Sequence, residues 1–562
     1  MSNGCEELAG SIVAEYEKRV HGDLKKYEKL RDVDLFVLDN SIRESTVGQL
    51  RGHTLESKWQ IYDEVKKCGF TNIIVAAFSH MTRVDDVFIQ ELVERGEDRT
   101  GLFAFSEITE GTKHRVPDTV TIPVGLRKMK ELGLLNAILE VDLSDSVYDF
   151  STFTMDDLFT LVKKWILWVY KNLNQHAKVL VNLRDMTDVM SRAPIRIFQL
   201  VEYLAKMPEG IRPFGLLFEE MKGTCLPEEC GNWAKYIRKI MDAYKWEGKL
   251  LVHIHEKFGF SDASQLHSLA SGSDGVWGSI CIEGAAMGNA STCVTMMNLI
   301  RLGNKKVLKK FNCTYLRKAA INVTKITTGK LPHNKQPVFG PRATDFVFDL
   351  KPEEFDLASF FGEKAPVRIT TMASKEMIQS RLIDLFGKDP QYTLDLANDM
   401  KELILADLRS GRKEEYMSMV GLALLFDRAG GSLTQPMRDA IDAFEVRGPH
   451  AKNLLEQIKK TWDEWDLKEK GAASGDNVLE FDSFYNGFMA PYFSCYRCSD
   501  TKQAMQAIDM DADGQVDWNE FETYLKWAIH QYPDIKDTDE LLNVAFTKGI
   551  IPAMQDEYIG KL

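Results

Sequence analysis

A closed (β/α)8 TIM barrel within an α/β chain is the fold class that the first 285 residues predict, on three observations. Short, continuous apolar runs recur eight times: LFVL at 35–38, IIVAAF at 73–78, LFAF at 102–105, ILEVDL at 138–143, VLVNL at 179–183, FGLLF at 214–218, LLVHI at 250–254 and VWGSICI at 276–282. Runs of this kind suit parallel strands covered on both faces. Helical periodicity fills the intervals, as in TLESKWQIYDEVKKCGF at 54–70, VDDVFIQELVERG at 84–96 and APIRIFQLVEYLAKM at 193–207. Eight such units in about 280 residues match a closed barrel in count and size. A doubly wound open sheet is the competing arrangement, but no GxGxxG follows the first strand, which removes the commonest reason to prefer it.

The barrel is one part of a longer chain. An N-terminal helical extension is expected over 1–30 and the barrel over 31–310. After about residue 310 the β/α alternation stops. Residues 326–345 hold Pro and Gly and read as an extended connection within a mixed or helical subdomain at 311–415, and an all-α module follows at 416–562. The whole chain of 562 residues is 44% hydrophobic and 27% charged, which is ordinary for a globular protein of several domains. Its net charge of −13 offers no electrostatic footprint for nucleic acid. No apolar run approaches the ~20 residues that cross a bilayer; the longest, WILWVY at 165–170, is flanked by Lys163, Lys164 and Lys171. The first residues lack the basic start and apolar core of a signal peptide. The nine cysteines form no framework, which suits a reducing compartment. A cytoplasmic location is therefore expected, with neither nucleic acid nor membrane as a partner.

The C-terminal module contains DMDADGQVDWNE at 509–520. This fits the twelve-residue calcium loop of an EF-hand position by position. Asp509, Asp511 and Asp513 supply side-chain oxygens, and Gly514 allows the sharp turn. Gln515 offers its backbone carbonyl, Asp517 ligates directly or through water, and Glu520 closes the cage as a bidentate carboxylate. Such loops pair. The expected mate, near 466–483, keeps the apolar frame, with Leu479 and Phe484 mirroring Val516 and Phe521. It has Lys468 and Lys470 at ligand positions and Ser483 in place of the final Glu, so it is read as a structural mate that binds no calcium.

A second metal site is expected in the barrel. His253 and His255, in VHIHEKFG at 252–259, are two apart and so face one side of a strand. They stand at the carboxyl end of the seventh run, where barrel enzymes do chemistry. Two imidazoles and a carboxylate make an open divalent site, and Glu44, beyond the first run, can supply the carboxylate. Asp39, Ser41 and Arg43 alternate along the same segment. Asp39 shares the strand face of Arg43 and could orient it; the alternative is a strand-end turn residue.

These segments carry a resemblance. DNSIRES at 39–45 resembles the first-strand signature of the metal-dependent family that includes isopropylmalate synthase, homocitrate synthase and hydroxymethylglutaryl-CoA lyase (the pyruvate carboxyltransferase type). VHIHEKFG is similar to that family's HxH motif, the run at 266–291 to the segment ending in Gly-Asn, and FEEMKGTCLP at 218–227 to its Asp-Thr motif. The resemblance covers about 30–310. It implies a barrel, a divalent cation (Mg, Mn or Zn) held by Glu44, His253, His255 and Asn289, and Arg43 as the catalytic cation, with Asp39 beside it. A 2-oxo acid and an acyl-CoA would be the substrates, and a homodimer is expected. The region after the barrel, at 335–350 and 369–404, looks like the subdomains of the synthases and favours the acyl-CoA condensing branch.

The departures fall on substrate contacts. Met221 stands where the family has Thr, and Glu220 where it has Asp; these two are the expected substrate-binding positions. Three readings follow: an acyl-CoA:2-oxo acid synthase or related lyase; a calcium-responsive protein whose barrel keeps the ion but not turnover; and a CoA-independent aldolase or lyase.

Overall fold

Eight parallel strands close into a barrel in the order one, two, three, four, five, six, seven, eight and back to one. They are Phe36–Asp39, Asn72–Ala77, Leu102–Glu107, Asn136–Asp142, Val179–Arg184, Gly215–Glu220, Lys249–Ile254 and Gly275–Gly278. The computed structural model describes residues 3–44, 53–78, 80–113, 115–285, 287–344, 355–363, 367, 369–409, 416, 419–444, 449–470, 477–493, 508, 515–532 and 535–546. Closure shows in the register: Phe36 of the first strand pairs with Gly275 of the eighth, and Leu38 with Asn72 of the second. A closed parallel sheet leaves no strand edge open.

The strand period sorts each run into an inner and an outer face. Leu38, Ile74, Phe103, Phe105, Ile138, Leu180, Leu217, Leu251 and Trp277 form one buried cluster inside the barrel. Neighbours of opposite parity, such as Val37, Leu216, Phe218 and Val252, belong to the larger core between strands and helices. Burying one such side chain contributes roughly 1.5–3 kcal/mol, so the lumen is filled rather than hollow below its mouth. The helices that cover the sheet include Leu55–Lys67, Val84–Glu94 and Pro194–Ala205. Thr54 starts the first of these, its hydroxyl accepting from the Ser57 N–H at 3.1 Å, as a cap should.

Two local expectations need correction. The eighth run does not continue as a strand to 282; pairing ends at Gly278. Beyond it the chain folds back, with Asn289 N–H on the Ile282 carbonyl and Thr292 N–H on the Ser279 carbonyl. Nor does the first strand reach 43. Residues Ser41–Glu44 form a helical turn, because Asn40 carbonyl accepts the N–H groups of both Arg43 and Glu44, at 3.1 and 2.7 Å.

The chain divides into two compact units. The first comprises residues 1–344 and 352–364, the second 345–351 and 365–562. Among its described residues the second unit is helical, with Lys375–Phe386, Leu394–Arg409, Met419–Arg428, Gln435–Phe444, Pro449–Lys470, Trp518–Gln531 and Thr538–Val544. One of its cores is centred on Ile378, Leu382, Met400, Ile404 and Phe426. The other is aromatic, built on Trp462, Phe484, Phe488, Phe521 and Phe546. Two short strands, Val478–Leu479 and Val516–Asp517, pair antiparallel with Leu479 opposite Val516. No described helix is long and apolar enough to cross a membrane.

Candidate metal centre

The seventh strand delivers both histidines to the lumen. Leu251 is an inner residue, so His253 and His255, at the same parity, point inward as well. Both are buried, as is Glu44. One donor atom from each of the three lies within 4.8 Å of the others. The helical turn after the first strand is what brings Glu44 there.

Hydrogen bonds select the free donors. His253 Nδ1 sits 2.8 Å from the Trp277 carbonyl. A carbonyl only accepts, so Nδ1 carries the proton and Nε2 keeps its lone pair in the neutral ring. Burial lowers the pKa of His253 to about 4, which keeps the ring neutral, and the ring stacks on Trp277 with centroids 4.5 Å apart. His255 turns Nε2 toward the Glu219 carboxylate at 3.2 Å. Burial would lower the pKa of His255, but the Glu219 carboxylate outweighs it and raises it, and no hydrogen bond of good geometry reaches the buried Nδ1.

Burial would raise the pKa of Glu44, but the Arg43 guanidinium and the histidines outweigh it and hold the carboxyl below the ordinary glutamate value. Its Oε1 accepts the Ala285 N–H at 2.9 Å, and its Oε2 meets Arg43 Nη1 at 2.5 Å. The Arg43 guanidinium also lies 4.9 Å from the centre of the Phe105 ring. Asn289 is buried and pairs with His255 through an isolated antiparallel bridge. Its side chain and that of Glu44 crowd one point: a Cβ on Gly284 would stand 2.5 Å from Asn289 Nδ2 and 3.2 Å from Glu44 Oε1. The turn and the strand thus bring together Glu44, His253, His255 and Arg43, and the folded-back loop sets Asn289 beside them, its Nδ2 toward Glu44 and its Oδ1 accepting the Ser279 N–H at 3.4 Å.

Three other expected residues lie elsewhere. Asp39 does not orient Arg43. It shares the outer face of Val37, and its carboxylate accepts from Ser41 N–H and Oγ–H at 3.1 and 2.8 Å. Burial nonetheless raises its pKa to about 7. Glu220 has the parity of Leu216 and Phe218, on the outer face. Its carboxylate accepts from Thr187 Oγ–H at 2.9 Å and from Gly223 N–H at 2.6 Å, so it organises the loop after the sixth strand. Met221 follows it, half-buried in that loop. Asp509, Asp511 and Asp513 lie outside the described residues. Of the remaining loop positions, Glu520 N–H donates to Asp517 Oδ1 at 2.8 Å and Asp517 N–H to Glu520 Oε2 at 2.9 Å. Gln515 is half-buried before them.

Sequence reasoning missed the residue beside Glu220. Glu219 shares the inner face of Leu217 and pairs in register with His253. Burial would raise its pKa, but the hydrogen bond from His255 and the nearby rings outweigh this and hold it at about 2. Its second oxygen is 3.5 Å from Asn182 Nδ2, and Asn182 Oδ1 has no partner. Across the mouth, Glu107, Glu140, Asp142, Tyr148 and Arg184 line a cavity of about 230 Å³. Burial lifts the pKa of Glu140 to about 7. Their signal in the sequence is a polar residue at the carboxyl end of an apolar run, as Glu107, Asp142, Arg184 and Glu219 are, or one that interrupts a run, as Glu140 does.

No family model matches the chain, and no curated protein matches it. Among solved structures it is similar to the HMG-CoA lyase of Bacillus subtilis, at 15% identity over 53% of this chain and 95% of that one, with a TM-score of 0.39. The HMG-CoA lyase of Brucella melitensis aligns at 13% identity over 52% of this chain and 98% of that one, TM-score 0.40. The carboxyl transferase domain of Rhizobium etli pyruvate carboxylase aligns at 12% identity over 79% of this chain and 76% of that one, TM-score 0.36. Strand order and side-chain geometry, not these distant likenesses, define the barrel and its centre.

Proposed function

We propose that the barrel is a divalent-metal-dependent enzyme that forms or breaks a C–C bond beside the carbonyl of a 2-oxo acid, with an acyl-CoA as co-substrate in the manner of isopropylmalate synthase. The observation that carries this is the buried set Glu44, His253 and His255, with donors within 4.8 Å, at the mouth of a closed barrel and with Arg43 against it. The donor chemistry fits a divalent ion: a carboxylate held ionised, a neutral imidazole with Nε2 free, and an imidazole whose buried Nδ1 is reached by no hydrogen bond of good geometry. Glu44, His253, His255 and Asn289 would hold it, and two imidazoles favour Zn over Mg. Such an ion, when bound, supplies Lewis acidity toward a carbonyl oxygen.

The chain's own residues do the rest. Arg43, beside Glu44, stabilises negative charge developing on the substrate oxygen. Trp277 and Phe105 wall the lumen below and keep water from the floor. Glu140, with its pKa near neutrality, can hold or release a proton at its carboxyl oxygen. Glu219 fixes the ring of His255. One observation favours a second reading, a barrel that keeps the ion without turnover: the Glu220 carboxylate is already engaged by its own loop. The same proposal includes one calcium ion at 509–520, supported by the pairing of Leu479 with Val516, and a homodimer, which sedimentation would check.

Metal analysis followed by screening of acyl-CoA and 2-oxo acid pairs, with and without calcium, tests the function. His253→Ala/His255→Ala should remove the barrel metal and leave the barrel folded. Stoichiometric barrel metal in that double variant would overturn the assignment.

A further inference from the structure

Lys58 is buried without exposure, on the helix Leu55–Lys67 that follows the first strand. Its ammonium is 2.6 Å from Asp85 Oδ1, on the neighbouring helix Val84–Glu94, and donates to the Ile42 carbonyl at 3.1 Å. Ile42 is inside the helical turn Ser41–Glu44, directly before Arg43 and Glu44. The Asn40 carbonyl accepts the N–H groups of Arg43 and Glu44, Asp39 holds Ser41, and the Ala285 N–H holds the Glu44 carboxylate. A single turn is not stable in isolation, so its orientation comes from such contacts, among them the Lys58 bond to the Ile42 carbonyl, made from behind it.

Stability alone gives little reason for this arrangement. Taking an ammonium and a carboxylate out of water costs several kcal/mol per ion, and apolar replacement of a buried pair is commonly neutral or stabilising. A methionine or leucine would fill the same space. What neither supplies is a donor for the Ile42 carbonyl, fixed in place by a partner on a second helix.

We propose that Lys58 is a positioning residue: anchored on Asp85, its ammonium sets the turn that presents Arg43 and Glu44 to the mouth of the barrel. The inference rests on the reading of Glu44 as a metal ligand. Removing the donor lets the turn rotate, which moves Glu44 away from His253 and His255 and Arg43 away from the substrate side.

The test uses the full chain, with Mn2+ as the probe, and compares Lys58→Met, Lys58→Met/Asp85→Leu and wild type. Lys58→Met strands the Asp85 charge and should lower both thermal stability and Mn2+ affinity, the latter about 10–100-fold, as for groups that support metal ligands. The double variant removes the stranded charge and should regain stability, while Mn2+ affinity stays low. In both variants the amides of Arg43 and Glu44 should exchange hydrogen faster than in wild type, a readout that needs no metal. Affinity and exchange restored in the double variant would overturn the proposal, since Lys58 would then serve only to neutralise Asp85. Unchanged affinity and exchange in Lys58→Met would overturn it too. Failure of the metal reading looks different: wild type would bind no Mn2+ in the barrel, and the exchange comparison would then decide the role of Lys58 alone.

Discussion

Glu219 and Gly284 show how single residues govern the centre without ligating anything. Glu219 holds the proton-bearing Nε2 of His255 at 3.2 Å and so turns the other ring nitrogen outward. Glu219→Gln keeps the size but replaces an ionised acceptor by a weaker, neutral one. Divalent affinity should fall about 10–100-fold with little loss of stability, as isothermal titration would show. Gly284 matters through the hydrogen it carries in place of a methyl. In Gly284→Ala the new Cβ would meet Asn289 Nδ2 at 2.5 Å and Glu44 Cγ at 3.0 Å. Both are side-chain atoms that can swing aside, so the fold survives while two expected ligands move. We expect metal affinity at least about tenfold weaker and a nearly unchanged melting temperature; wild-type affinity would show that the two side chains can yield without cost to the site.

At the scale of elements, short irregular pieces do the assembling. Regular strands bring His253 and His255 to the lumen, but Glu44 arrives on a four-residue helical turn and Asn289 on a loop folded back over the seventh strand. The same holds in the helical module. Val478–Leu479 and Val516–Asp517 make a two-stranded pairing that ties the segment before Phe484 to the one before Phe521, and both rings enter one aromatic core, 5.0 Å apart. In the mate, the Lys468 ammonium lies 4.2 Å from the Trp465 ring centre, an arrangement suited to packing rather than to a cation cage. Calorimetry should therefore find one calcium per chain, and Glu520→Gln should remove most of its affinity because the bidentate ligand is lost. A stoichiometry of two would mean that the mate binds as well.

Across the whole molecule, buried carboxyls tie stability to pH. Asp262 accepts the Ser291 N–H at 3.0 Å, and burial raises its pKa to about 7 from the unfolded value of 3.8. Between those values the folded chain holds a proton that the unfolded chain has released. Stability contributed by this group is therefore complete below the unfolded pKa and is lost as pH rises toward 7. Asp262→Asn mimics the protonated form at all pH values. Denaturant unfolding at pH 5 and pH 7.5 should show wild type losing more stability over the interval than the variant; equal losses would place the proton elsewhere.

The barrel was legible in the order of residues because its strands are covered on both faces, which forces uninterrupted apolar runs. His253 and His255 were legible because they repeat at strand spacing, and Glu44 because it stands in the motif beyond the first run. Choosing between Glu219 and Glu220 was not. When both faces of a strand are buried, hydrophobicity no longer marks the inner one, and only closure of the barrel, with Leu217 inside and Phe218 outside, separates the histidine partner from the loop organiser. Asp39 and Arg43 failed as a pair for a related reason. Whether 41–44 continues a strand or turns into a helix depends on the Asn40 carbonyl and on Lys58, sixteen residues away in sequence and 3.1 Å from the Ile42 carbonyl. Local pattern determines which segments become strands and helices; contacts between distant segments decide which of their polar residues face one another.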